Sequence, residues 1–145
     1  MREVVVGVDG SPGAGQALRW AADYAVVGGQ RLRLVHAHVP YSRQYPFDLT
    51  SAGSGLEAAD ARSRSAAESV LADAAARVRA EADVDVLTEL VEGDAAQALL
   101  DRSARADLLV VGARGLGGFA GLLLGSVSQR CVQHAACPVV VVPQS

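Results

Sequence analysis

Short apolar runs alternate with longer amphipathic segments along this chain of 145 residues. Residues 4–8 (VVVGV) are mostly β-branched, which is typical of a buried strand. Ser11 and Pro12 follow, and they suit the N-cap and the first turn of a helix. Apolar residues then recur at helical spacing and predict one buried face, formed by Leu18, Ala21, Ala22, Ala25 and Val26. Residues 28–29 are both glycine and predict the end of this helix.

The same alternation continues to the end of the chain. Residues 32–39 predict a second strand, and residues 40–55 a polar connection that is either a lid or a loop. Residues 56–82 predict the longest helix, because they are rich in Ala, Arg and Glu and contain neither Gly nor Pro. Further strands are predicted at 85–91, 108–111 and 139–142, and further helices after Asp94, which forms a capping-box pattern with Gln97, and at 126–134.

This order of elements predicts a three-layer α/β/α sandwich. Parallel strands need crossover connections, and the alternating helices supply them on both faces of one sheet. In such sheets, ligands bind beyond the carboxyl ends of the strands, where the strand order reverses. Asp9, Ala37 and Gly112 stand at three such ends, so we expect them to line one crevice.

The segment from Gly112 to Ser126 reads GARGLGGFAGLLLGS and lies between a predicted strand and a predicted helix. Gly112 and Gly115 allow the backbone to turn and to approach a ligand closely, and Gly125 with Ser126 suits a helix start. Free amides and the positive end of the helix dipole make such a start an anion site. The glycine spacing therefore predicts a phosphate-binding loop. A plain flexible connection is the alternative, and Asp9 has the alternative role of a turn cap.

Composition narrows the function classes. Half the residues are hydrophobic and a fifth are charged, as in a soluble globular protein, and the length predicts a single domain over residues 1–145. Aromatic residues are few, so the core should be aliphatic. The net charge of -3 argues against a nucleic-acid partner. All thirteen basic residues are Arg, and without Lys a Walker-type phosphate loop is excluded.

The sequence also predicts where the protein resides. The N-terminal apolar run is too short for a secretory signal, and no segment reaches the roughly 20 apolar residues that span a bilayer. We therefore expect a cytoplasmic protein with no membrane contact. Cys131 and Cys137 are expected to be reduced thiols in the core.

Other possible sites are less well supported. A dinucleotide site needs its glycines after the first strand and an acidic residue after the second, where this chain has Ala37 and His38. A structural zinc site at Cys131, His134 and Cys137 lacks a fourth ligand. His36 shares a strand face with His38, and both are expected to form hydrogen bonds near the sheet. A serine hydrolase site at Ser126 lacks the G-x-S-x-G turn.

The chain resembles the ATP-binding branch of the universal stress proteins. That branch carries a glycine, two residues, a glycine, nine residues, and a glycine followed by Ser or Thr, which Gly112, Gly115, Gly125 and Ser126 match. The likeness extends to VVGVDGSPGAGQALRWA, LVHAHVP and QHAACPVVVVP, and so covers nearly the whole chain. It implies a Rossmann-like, adenine nucleotide alpha hydrolase-like fold with a five-stranded, mostly parallel sheet in the order 3-2-1-4-5.

The resemblance also implies roles for individual residues. Asp9 would contact the base or ribose, the Ala37 backbone would read the adenine edge, and Gly112 would lie beneath the ribose. The phosphates would be held by Gly115, Gly125, Ser126, Val127 and Ser128. Gly7 and Val8 complete the expected site, and the Arg114 guanidinium is placed to bind a phosphate in a bidentate manner. Residues 117–121 are expected to order on binding.

These expectations amount to an ATP-dependent regulator in the stress response. A phosphate cradle without a visible base predicts slow ATP hydrolysis at most. Mg²⁺ would be held mainly by the phosphates, with help from Asp9 or Ser126. The alternatives are an interaction protein of the same family that does not bind ATP, and an adenylating or ATP-hydrolysing enzyme of the same fold group. The apolar strand Val139–Val142 at the sheet edge predicts a homodimer.

Overall fold

The computed structural model describes residues 2–46, 54–115 and 124–144. Within them the strands are β1 (Glu3–Gly7), β2 (Arg31–His38), β3 (Val86–Glu92), β4 (Leu108–Gly112) and β5 (Val139–Val142). The helices are α1 (Pro12–Gly28), α2 (Tyr41–Gln44), α3 (Ser54–Glu81), α4 (Ala95–Arg102) and α5 (Ser126–His134). In this part of the chain, no helix is both long and apolar enough to cross a membrane.

The strands form one sheet in the order β3-β2-β1-β4-β5, and every pairing between neighbours is parallel. In the central strand, Val6 lies beside Leu34 of β2 and Val110 of β4. The predicted strand order is therefore confirmed. Because β2 and β4 lie on opposite sides of β1, the strand order reverses there, and a crevice is expected beyond the ends of these strands.

Two apolar clusters pack on the two faces of the sheet. Val4 and Val6 point into a cluster with alanines of α1 and α3, whereas Val5 points into the other cluster with Leu99 of α4 and Cys131 of α5. None of the buried core residues that the structure describes is aromatic. The layers α1/α3, sheet and α4/α5 thus form the predicted three-layer sandwich around an aliphatic core.

The caps at the start of helices α1 and α4 agree with the sequence patterns in part. The Ser11 hydroxyl accepts from the Ala14 amide at 3.1 Å, as predicted for an N-cap. Asp94 accepts from the Gln97 amide at 2.9 Å, but the Gln97 side chain donates to Asp101 instead of returning to Asp94. Only half of the predicted capping box therefore forms.

Two other expectations need correction. Val26 was predicted on the buried face of α1, but it is 46% exposed because the sheet covers a narrower face than the pattern suggested. Residues 40–55 are not one connection, since α2 forms at Tyr41–Gln44 and α3 begins at Ser54. The Ser42 amide and hydroxyl donate to Asp60, which ties α2 to α3. The predicted lid would involve residues 47–53, which lie outside the described residues.

Candidate functional site

A cleft of about 310 Å³ opens at the carboxyl edge of the sheet, where the strand order reverses. Its volume lies at the lower end of the range for small-molecule sites. The cleft is lined by every site residue expected from the sequence, namely Gly7, Val8, Asp9, Ala37, Gly112, Arg114, Gly115, Gly125, Ser126, Val127 and Ser128. The fold thus brings three distant segments together, although their contacts with a ligand remain a prediction.

Several lining residues were not expected from the sequence. Val35, Leu99 and Val111 form an apolar wall and are each less than 5% exposed. Their pattern indicates core positions, and nothing in it distinguishes a core residue from the wall of a cleft. Ser11, Ala14, His36 and Ala95 also line the cleft.

The backbone of Ala37 lies beyond the last β1–β2 pair, which joins Gly7 to Val35. The Val8 amide donates to the Val35 carbonyl at 2.9 Å, so the polar backbone groups of Val35 face β1. Alternate residues of a strand face the same neighbour, so those of Ala37 face the same side, where β1 has ended. Ala37 therefore presents one donor and one acceptor to the cleft.

The His36 side chain forms a hydrogen bond with the Val8 carbonyl, which would otherwise accept from the Ala37 amide. Its Nδ1 lies 2.7 Å from the Val8 carbonyl oxygen. Since a carbonyl can only accept, Nδ1 carries the hydrogen and donates it. His36 thereby replaces the next rung of the β1–β2 ladder, and this contact had no signal in the sequence beyond the strand pattern.

The Asp9 carboxylate is fixed at the start of α1. Its Oδ1 accepts from both the amide and the hydroxyl of Ser11, at 2.9 and 2.5 Å. Its Oδ2 lies against Gly115, where an ideal Cβ would be only 2.5 Å away. Asp9 therefore both stabilises a turn, as in the alternative interpretation, and lines the cleft beside the glycine motif.

Two glycines let β4 and α1 approach each other closely. A Cβ on Gly112 would lie 3.0 Å from the Gly13 carbonyl, and a Cβ on Gly13 would lie 2.7 Å from the carbonyl oxygen of Arg114. A side chain at Gly13 would push the backbone of the glycine motif away from α1. Gly13 is thus part of the site's framework, and its partner is too distant in sequence for a local pattern to reveal it.

The N-terminus of α5 opens toward the cleft. Its N-cap is Gly125, so no side chain accepts a hydrogen bond from the first-turn amides at that position. The Gly125 amide donates to the Ala113 carbonyl at 2.7 Å, which fixes the approach to the helix. The amides of Ser126, Val127 and Ser128 then begin the helix, in the arrangement that binds anions.

The two serines of α5 differ in the direction of their hydroxyls. Ser128 is 2% exposed, and its Oγ lies 2.9 Å from the Ala113 carbonyl and 3.0 Å from the Gly125 carbonyl. Its hydroxyl thus stabilises the loop, and only its amide is left to meet a ligand. Ser126 is exposed at the cleft.

The charged groups of the described cleft wall are few. Asp9 supplies one carboxylate and Arg114 one guanidinium, opposite in sign and both beside Gly115 in space or sequence. On the buried face of α5, burial raises the pKa of the Cys131 thiol to about 11, so this thiol stays protonated at neutral pH and is a poor nucleophile. At the start of α4, the hydrogen bond from the Gln97 amide lowers the pKa of Asp94. Residues 117–121 lie outside the described residues.

Comparison with known proteins relates the whole chain to one family. A model described as "Universal stress protein family" matches residues 1–143. A universal stress protein of Thermus aquaticus is 37% identical over 145 residues, covering 97% of this chain and 98% of its own length. One from Mycobacterium tuberculosis is 36% identical over 96% of this chain. The chain spans about half the length of the first curated relatives it matches, 46% in this case.

Solved structures show the same fold. A universal stress protein in complex with cAMP superposes with a TM-score of 0.71 at 29% identity, covering 99% of this chain and 98% of that one. UspA from Lactobacillus plantarum superposes with a TM-score of 0.81 at 21% identity, covering 97% of each chain.

Proposed function

We propose that this chain, which belongs to the universal stress protein family, binds ATP in the cleft described above and acts as a nucleotide-dependent regulator in the stress response. The observation that supports the proposal is that three groups from distant parts of the chain meet in the fold. The Ala37 backbone, the Asp9 carboxylate and the open N-terminus of α5 line one cleft. These groups complement the base, the ribose and the phosphates of a nucleotide.

The base would lie along the apolar wall of the cleft. Val35, Leu99 and Val111 would contact its flat face, and the Ala37 amide and carbonyl would pair with a ring nitrogen and the exocyclic amine of adenine. Guanine presents the reversed pattern at the same edge, a donor and a carbonyl, so this pairing would select adenine. The cAMP complex of a 29% identical family member supports a ligand of the adenine class.

The phosphates would lie at the start of α5. The amides of Gly115, Ser126, Val127 and Ser128 and the positive end of the helix dipole would offset their charge without any lysine. Gly125 would contribute as the N-cap that leaves the first-turn amides open, because its own amide is bound to the Ala113 carbonyl. Arg114 would add a bidentate contact. Mg²⁺ would be held mainly by the phosphates, and Asp9 and Ser126 offer oxygen atoms of the kind this ion prefers.

The residues that line the cleft also favour slow ATP hydrolysis at most. Phosphoryl transfer needs a group that orients the attacking water. Among the described residues that line the cleft, Asp9 already accepts two hydrogen bonds from Ser11 at its Oδ1, and His36 donates Nδ1–H to the Val8 carbonyl. The site is therefore better suited to holding a nucleotide than to hydrolysing it. Single-turnover hydrolysis faster than roughly 1 s⁻¹, the low end of typical enzyme rates, would contradict this part of the proposal.

We also propose that the protein forms a homodimer through β5. The carbonyls of Pro138 and Val142 accept from β4, so the intervening Val139 and Val141 turn their backbone groups outward. No charged residue occurs in β5. At the opposite edge, Glu89 and Glu92 of β3 form ion pairs with arginines, which discourage strand pairing there.

Mass spectrometry of the protein purified under native conditions tests the nucleotide proposal without assuming a ligand. We expect an adenine nucleotide at up to one per chain, released on denaturation. A second titration of ligand-free protein with adenosine, AMP and ATP separates the contributions of base and phosphates. If adenosine binds as tightly as ATP, the phosphate part of the proposal is wrong.

A further inference from the structure

One flank of α1 carries large apolar side chains in solvent. Trp20, Tyr24 and Val27 are 37%, 42% and 90% exposed, and the first two rings stack at 5.3 Å between centroids. The chain has only six aromatic residues, one of them tryptophan. Spacing of four and three residues places these side chains in one stripe along the helix. Such a stripe is costly to leave exposed and is typical of an interaction surface.

The position of the stripe follows from the groove between α1 and α3. Arg19 and Asp23 line this groove together with Arg77 of α3, so the opposite flank, with Trp20 and Tyr24, faces away from α3. Helix α3 packs over β2 and β3, whereas α1 packs mainly over β1 and β4 and reaches β2 on one side and β5 on the other. The aromatic flank therefore faces the β5 edge of the sheet.

The β5 edge has apolar residues on the same face. Val140 and Val142 pack against the α1/α3 cluster and remain only partly buried. If two copies join through β5, these valines of both copies meet at the junction. Neighbouring strands are about 4.8 Å apart, so the two α1 helices, each over β1 and β4, would be separated by about four spacings, or roughly 19 Å. Packed helices are about 8–10 Å apart. A trough about one helix wide would thus remain above the valines.

We infer that Trp20 and Tyr24 fill this trough in a dimer, so that the aromatic flank of α1 forms the second part of the homodimer interface. The inference rests on the proposed pairing of β5. The occupant is a second copy of this chain. A two-fold axis that relates the two β5 strands brings the aromatic flank of each copy over the valines at the junction, from opposite sides. The adjacent edge also needs a strand as its partner, since the backbone groups of Val139 and Val141 point outward.

The single tryptophan makes the inference directly measurable. Sedimentation would give the mass, and Trp20 emission and its quenching by acrylamide would be followed over the same protein concentrations. Val141→Pro supplies a monomer reference, because it removes an outward N–H and leaves the β4 ladder intact. We expect the emission to shift to shorter wavelength and quenching to fall several-fold as the dimer forms.

Two substitutions test the surface without removing the fluorophore. Tyr24→Ser should weaken dimerisation about tenfold or more, as expected for an aromatic interface residue. Val26→Ser is the matched control. Val26 is 46% exposed, but it lines a groove with Asp83, Val84 and Asp85 of the segment that follows α3, on the other flank, so the dimer of this variant should be unchanged.

The outcomes separate the two proposals. A wild-type protein that stays monomeric overturns the β5 homodimer and this inference together. A dimer that Val141→Pro dissociates, but in which Trp20 is quenched as readily as in the monomer, overturns the inference alone. Should Tyr24→Ser fail to fold by circular dichroism, the quenching of the wild-type protein still decides.

Discussion

The imidazole of His36 donates to the backbone carbonyl of Val8 across 2.7 Å, at the point where β1 leaves the sheet. Had β1 continued, this carbonyl would receive the amide of Ala37. The contact leaves the Ala37 amide facing the cleft, where we propose that it binds adenine. His36 would therefore support base recognition through the Ala37 amide. Its Nδ1 would not contact the base.

Replacing His36 tests this relationship. In His36→Ala the Val8 carbonyl would be open to the Ala37 amide, so the dissociation constants of adenosine and ATP should both rise about tenfold, the equivalent of one hydrogen bond. Calorimetric titration measures both. His38→Ala is the control, because His38 shares the strand face but bonds Ser63 of α3 and does not line the cleft. Equal affinities in His36→Ala and His38→Ala would contradict the assigned role.

Gly115 should tolerate no side chain. A Cβ there would lie 2.5 Å from Asp9 Oδ2, and Ser11 holds that carboxylate in place. Gly115→Ala should displace Asp9 and weaken ATP binding about tenfold, and Gly115→Asp should weaken it further because its charge repels phosphate. Adenosine should distinguish the two effects, since it lacks phosphates. In the control Gly15→Ala, the new Cβ would lie 3.4 Å from the Arg77 guanidinium and outside the cleft, so ATP affinity should stay at the wild-type value.

The two serines of α5 should respond differently to loss of the hydroxyl. Ser128→Ala removes a buried donor to Ala113 and Gly125 and should lower the free energy of unfolding by about 1 kcal/mol, with little change in ATP affinity. Ser126→Ala should leave stability unchanged and weaken ATP binding, because its hydroxyl is exposed at the cleft. Urea unfolding and calorimetry of both variants provide the test, and the reverse pattern would place Ser128 rather than Ser126 against the ligand.

Glu3 should make stability depend on pH in the acid range. Burial raises the pKa of its carboxyl, but hydrogen bonds from Arg33 and Arg31 more than offset this and lower it below the ordinary value of 4.5. A lowered pKa in the folded state stabilises the protein fully above about pH 4.5, and this contribution is lost as the pH falls through the folded pKa. Glu3→Gln should therefore lower the free energy of unfolding by about 2 kcal/mol at pH 7 and by progressively less below pH 4.5. Glu68→Gln, which breaks an exposed pair with Arg64, should have little effect at either pH. A Glu3→Gln effect that does not vary with pH would contradict the assigned titration.

The hydrophobic pattern was sufficient to predict the five strands, the long helix and their succession along the chain, because most of these runs keep one period. The order of the strands in the sheet was implied by the family resemblance instead. The pattern failed where spacing alone does not decide whether a residue is buried or which group it bonds. Val26 has the spacing of the buried face of α1 but lies beyond the edge of the sheet's cover. Gln97 has the spacing of a capping box but finds Asp101 one turn later.

The site was predictable where a residue type has a local reason for its position. Asp9 follows a strand, and Gly112, Gly115 and Gly125 are spaced for a turn and a helix start. Gly13 and His36 could not be predicted in the same way, because their partners are the Arg114 carbonyl and the Val8 carbonyl. Only the folded sheet brings those atoms close.

Calorimetric titration of the ligand-free, folded protein with ATP and GTP in the presence of Mg²⁺ decides whether the cleft is an adenine nucleotide site. We expect saturable binding of one ATP per chain and much weaker binding of GTP, because the Ala37 amide and carbonyl match only the adenine edge. Absence of binding by any adenine nucleotide at millimolar concentration, with the fold intact by circular dichroism, would contradict this assignment.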